Sequence, residues 1–191
     1  MSRALVLPFM GVVVLVGTQV QSDRSWIEIS NGFTEQLLVV EMKHHPEVGS
    51  KEGLSEYDSR VSQPTRADED AERKESESVL EKFKVALAQN QQEPVAQDLR
   101  IMIRRAELDF KLQDFQRAHK VPFINASGMV YEGIRVLLDD QTPEARRPAA
   151  VVRIREYAGL DPNYKSLTEI LKQRVQEQMV KPGILYPARC R

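Results

Sequence analysis

An all-α fold, an irregular array of several helices, is what this sequence predicts, and three observations predict it. Helix-start signals recur along the chain, apolar residues return at steps of three and four, and almost nothing alternates with the period of two that a strand needs. Even Val151-Val152 is flanked by Ala149-Ala150 and by Arg153-Ile154-Arg155, which is a helical setting.

The first residues read as an address rather than as part of the fold. Arg3 precedes an apolar run from Ala4 to Val16, and small and polar residues follow from Gly17 to Ser22. A charged start, a short apolar core and a small residue before a cut mark a secretory signal. At 1.5 Å per helical residue the run would be roughly 20 Å long, against about 30 Å of bilayer hydrocarbon. Residues 1–22 are therefore expected to be a signal peptide, residues 23–191 the exported helical region, and no membrane is expected to hold the chain after cleavage.

His44 and His45 are expected at a solvated helix end, where basic side chains suit the dipole. From there to about residue 65 the sequence looks like a long loop, with Pro46, Gly49, Gly53 and many polar residues. Loops of that length often carry a binding face. Thr65 with Asp68 fits a capping box, opening a helix whose apolar stripe is Val79, Phe83, Ala86 and Leu87. The next helix carries two rows. One is Val95, Leu99, Met102, Ile103, Ala106 and Phe110; the other is Ile101, Leu108, Leu112 and Phe115. A helix apolar on two sides is expected to be sandwiched between neighbours.

Asn125 predicts a cap for a helix through Val130, Ile134, Leu137 and Leu138. Thr142-Pro143-Glu144 offers another cap with proline in the first turn. Pro148 interrupts that helix, so a short turn over 143–147 and a new helix over 148–157 are expected. Gly159 is a stop signal, with Asp161-Pro162 turning the chain. Ser166 with Glu169 repeats the capping box before Leu167, Ile170, Leu171, Val175 and Met179.

Composition narrows function. Hydrophobic residues make up 41% and charged ones 29%, which is ordinary for a globular domain, and the formal net charge of −1 favours no nucleic acid. The one cysteine, Cys190, has no partner for an internal disulfide. Adjacent His44 and His45 diverge by about 100° on a helix, whereas a zinc peptidase needs two His four apart with a neighbouring Glu. His119 follows Arg117 and reads as a helix C-terminal residue.

Asp68-Glu69-Asp70 and Glu72 lack the glycine and trailing Glu of a calcium loop, and read as favourable charge in a first helical turn. Arg104-Arg105 and Arg146-Arg147 read as salt-bridged faces, with Glu107, Asp109, Asp139 and Asp140 as nearby partners. Gly128 and Gly133 precede no Lys-Ser/Thr pair and form no nucleotide loop. Asn125-Ala126-Ser127 matches a glycosylation acceptor. The residues themselves thus nominate no catalytic, metal-ligating or cofactor-binding side chain, and no cofactor for this chain.

Several ordered segments point to a family. They are Pro46–Leu54, Val95–Leu99, Ala106–Asp109, Leu137–Gln141, Arg146-Arg147-Pro148-Ala149-Ala150 and Arg155-Glu156-Tyr157-Ala158-Gly159-Leu160. Together they resemble the N-terminal part of the bacterial domain of unknown function family 885, typically exported or lipid-anchored. The resemblance implies a larger helical protein whose later region carries a His-Glu-x-x-His helix and a downstream Glu, similar to zinc peptidases of the gluzincin type. None of those residues is in this sequence, which stops at Arg191 around where the family continues toward its catalytic half. Zinc is therefore expected only in a full-length relative, and this chain alone is not expected to be an enzyme.

The function so implied is a non-catalytic helical region of an exported zinc-peptidase-like protein, covering or shaping a substrate cleft that a C-terminal half supplies. The alternative is an independent exported helical binding or oligomerisation module that buries its second apolar row against itself. The expected partners are accordingly a catalytic half or a second copy, and the expected location is periplasmic or extracellular.

Overall fold

The computed structural model describes residues 25–89, 91–121 and 123–180; the signal segment read at 1–22 and Cys190 lie outside them. The described residues form seven α-helices and two 3-10 turns with no strand, as the spacing predicts. Among them no helix is long and apolar enough to cross a membrane.

Three long helices make the first layer: α1 (Ser25–His44), α3 (Arg66–Ala88) and α4 (Glu93–His119). Their shared core is Val40, Val79, Phe83, Val95 and Leu99, with Trp26, Phe33, Leu37 and Leu87 packed around it. Phe33 and Phe83 meet edge to face at 5.5 Å, the arrangement that the ring quadrupoles favour. Thr65 caps α3 through its hydroxyl, which accepts from the Asp68 N–H at 3.1 Å. The box is one-sided, because the Asp68 carboxylate turns to His44 instead.

The second layer is α5 (Ala126–Leu138), α6 (Ala149–Tyr157) and α7 (Leu167–Met179). Val61, Tyr157 and Leu167 form its core, with Met129, Val130, Ile134 and Leu171 against them. Asn125 caps α5, its side-chain oxygen accepting from Gly128 N–H at 3.0 Å. Gly159 stops α6 in the left-handed region at φ +71°, where a β-carbon would also stand 2.6 Å from the Ser166 nitrogen.

The stretch at 45–65 is not a bare loop. Pro46 starts a six-residue helix, α2 (Pro46–Lys51), in the first-turn place that suits proline, and a 3-10 turn follows at Ser55–Tyr57. The proline interrupts helix at His45, yet restarts it at once. Gly49 lets the Tyr57 ring close over α2, since a β-carbon there would lie 2.6 Å from the ring.

Other local signals resolve differently from their reading. Ser166 occupies the N-cap of α7 but makes no capping bond; its hydroxyl pairs with that of Thr168 at 2.8 Å. Thr142 bonds the Val136 carbonyl, and a 3-10 turn at Glu144–Arg146 precedes α6, as Pro148 requires. The second row of α4 is not sandwiched: Ile101, Leu108, Leu112 and Phe115 are all more than half exposed. Two helices suffice to bury the first row, which leaves the other side facing solvent.

Candidate functional site

Between the two apolar cores lies a polar junction built by α2, the turn after it, α5 and α6. At its centre is Arg153, fully buried. Its guanidinium donates to the carbonyls of Gly133 at 2.6 Å, Tyr57 at 3.0 Å and Arg60 at 3.1 Å. One planar cation thus satisfies three acceptors on two segments, α5 and the turn at 57–60, a task that suits the fork of five donors. Burial lowers the Arg153 pKa, and the surrounding anions Glu47 and Asp58 oppose that effect.

Glu47, on the first turn of α2, accepts from the Tyr157 hydroxyl at 2.7 Å and from the Ser62 N–H at 2.9 Å. The Ser62 hydroxyl donates to its other oxygen. Burial, reinforced by the Glu47 charge, raises the Tyr157 pKa and keeps the phenol a donor. Gly133 is glycine because a β-carbon there would run into that hydroxyl.

Beside it, Arg146 grips Asp58 with two bonds of 2.7 Å and donates to the Ser50 carbonyl at 2.7 Å. Burial alone would raise the Asp58 carboxyl. Hydrogen bonds from Arg146 and Ser50 outweigh it and hold the group below its usual value. Glu156 is the odd member: burial, aided by Asp161, pushes its carboxyl up to about 7, and one of its oxygens has no partner.

Chemically, this arrangement fastens the 57–62 segment to α2, α5 and α6. Each donor of Arg153 and Arg146 named above, and the Tyr157 hydroxyl, is committed to a protein acceptor. Most of these residues escaped the sequence reading because they carry no motif. The signal that could have found them is on α6, where Ala150, Arg153 and Tyr157 share one face and are all buried, while Val151 and Ile154 point outward. The apolar pattern of that helix points to the opposite face.

The residues singled out in the sequence fall elsewhere. His44 is buried rather than solvated, with Nδ1 at 2.8 Å from Asp68 and Nε2 at 3.5 Å from Glu75. His45 meets Glu72 at 3.2 Å; that bond outweighs burial and raises its pKa. The two rings therefore engage different carboxylates of α3. His119 lies at the exposed end of α4 against the Phe115 ring.

The acidic run does more than favour a first turn. Glu69 holds Arg174 of α7 at 2.7 Å and Arg66 at 3.1 Å, while Asp70 holds Arg117 of α4 at 2.6 Å. Among the described residues no three His, Cys, Asp or Glu side chains are grouped to hold a metal ion.

Of the basic pairs, Arg105 takes Asp109 at 2.7 Å as expected, but Arg146 takes Asp58 rather than Asp139 or Asp140. A groove of about 600 Å³ between α3 and α4 is lined by charges that already pair: Arg73 with Glu77 and Asp114, and Lys84 with Glu81 and Glu107. No protein-family model, curated protein or solved structure matches this chain.

Proposed function

We propose that this chain is a non-catalytic helical region of an exported zinc-peptidase-like protein, and that it covers or shapes a substrate cleft supplied by a C-terminal half. The chemistry of that half would be water activated by zinc and a Glu base, attacking a peptide carbonyl. This chain contributes shape.

One observation supports the reading above others. Three of the segments on which the family resemblance rests meet at a single buried junction, one from residues 46–54 and two that are close neighbours about 90 residues later. Pro46–Leu54 supplies Glu47, Gly49 and Ser50; the segment Arg146–Ala150 supplies Arg146; and Arg155–Leu160 supplies Glu156 and Tyr157. A family likeness made of packing partners has a physical basis: each segment is constrained by the others. The likeness then reflects a shared helical framework, with the catalytic groups carried elsewhere.

The test is the coding sequence beyond codon 191. An open frame there, in any phase, that encodes His-Glu-x-x-His and a later Glu supports the proposal. Unrelated sequence removes it.

A further inference from the structure

The outward face of α4 is apolar and basic at once. Ile101, Leu108 and Phe115 recur at intervals of seven and share the face with Leu112, all between 51% and 59% exposed. At about 100° per residue, Arg104, Arg105 and Lys111 fall within about 60° of that line. The carboxylates of the helix's middle, Glu107, Asp109 and Asp114, lie toward its flanks and pair there with Lys84, Arg105 and Arg73. Arg104 and Lys111 have no ion-pair partner among the described residues; nor has Asp98, half-buried near the start of the helix on the same side as Arg105, which leaves two unpaired cations against one unpaired anion.

The exposed face of α1 is its electrostatic complement. Ile27, Leu38 and Val39 are exposed there, together with Glu28, Glu35 and Glu41. None of these three carboxylates has an ion-pair partner among the described residues. One helix of the bundle thus offers unpaired anions beside exposed aliphatic side chains, and its neighbour offers unpaired cations beside the same kind of surface.

We propose that two copies of this chain associate by seating the acidic apolar face of α1 in one against the basic apolar face of α4 in the other. The row on α4 does not pair with itself, because that would set Arg104, Arg105 and Lys111 against their own copies. A two-fold axis gives the α1-to-α4 contact twice and closes the assembly.

Direction favours this. Within one copy the two helices run parallel, with Thr34 beside Met102 and the His44 and Arg117 ends both bound to the start of α3. A perpendicular two-fold axis then makes the contact between copies antiparallel. Size agrees as well: α1 has 20 residues, or about 30 Å. Two contacts of that length and one helix width bury on the order of 600–800 Å² per partner, near what a specific interface needs.

Sedimentation velocity on the full chain, over a concentration series at low and high salt, tests the proposal. The expected parent is a dimer whose dissociation constant rises about tenfold or more as salt screens the charges. A variant with Arg104→Glu and Lys111→Glu, and another with Glu28→Lys, Glu35→Lys and Glu41→Lys, should each be monomeric alone. Mixed one to one, they should form a dimer with one copy of each. The substituted side chains are exposed, so far-ultraviolet circular dichroism should match the parent.

A parent monomeric up to roughly 100 μM overturns the proposal. So does a dimer that ignores both charge reversals, or a mixture that stays monomeric. A monomeric parent that cosediments with phosphatidylglycerol vesicles, and loses that with Arg104→Glu and Lys111→Glu, overturns it in favour of an anionic surface.

Discussion

Replacing Arg153 with methionine isolates what the polar junction contributes. Methionine keeps much of the volume but removes every donor, so the carbonyls of Gly133, Tyr57 and Arg60 lose their partner inside the protein. A buried acceptor left unmade costs about 1–3 kcal/mol. Against that stands the relief of no longer burying a cation, which recovers part of the loss. The net expectation is a destabilisation of about 3–6 kcal/mol, a large share of the 5–15 kcal/mol typical of a whole domain.

Urea unfolding followed by helical circular dichroism reads this as a lower midpoint at unchanged slope. Val151→Ser, on the exposed side of the same helix, is the control and should stay within about 0.5 kcal/mol. If Arg153→Met unfolds within about 1 kcal/mol of the parent, the three-carbonyl clasp is not what holds the 57–60 turn to α5 and α6.

Further outcomes follow from the same geometry. Asp58→Ala strips Arg146 of its carboxylate in a buried site and should cost about 3–5 kcal/mol in the same assay. Glu156 sits at about 7 when folded, above its ordinary value of 4.5. The folded state therefore holds a proton that the unfolded state has lost, and stability falls as pH rises between those two values. Glu156→Gln should remove that slope and make the variant about 1–3 kcal/mol more stable than the parent at pH 8.

His45 shifts the same way, through its bond to Glu72. Its stabilisation is complete below about 6.5 and disappears as pH climbs through the raised value. Melting temperatures of the parent and of His45→Gln should converge on the alkaline side. Gly159→Ala forces a β-carbon into the left-handed region and against Ser166, and should cost more than about 1 kcal/mol by urea unfolding.

The helices were legible because their signals are local. Thr65, Asn125, Pro148 and Gly159 act on backbone groups a few residues away, so the sequence alone states what each will do. The rows Val79–Phe83 and Val95–Leu99 were legible for a related reason: a three-residue or four-residue step names a helix face without naming its neighbour. The second row of α4 marks the limit of that logic. Periodicity showed a second apolar face, but not whether another helix of the same chain would cover it.

The candidate junction was almost wholly illegible. Arg153 and Glu156 there, like Arg174 and Gln178 on α7, are buried at positions where spacing would favour apolar side chains, while Val151, Ile154 and Met179 stand in solvent. Nothing local distinguishes a charged residue that will reach three distant carbonyls from one that will be solvated. His44 shows the same in reverse: a basic helix end became a buried ring between two carboxylates of α3.

The amino-acid order by itself determined that this protein is helical, roughly where the helices from α3 onward start and stop, and which side chains α3 and α4 give to the centre of the first bundle. Those are consequences of bonds and steps within a few residues. Only the tertiary structure decided which polar groups go inside, that α6 turns its valines outward, and which helix faces remain uncovered. Each of those depends on acceptors and charges many tens of residues away, and a buried cation is stable only where such partners converge.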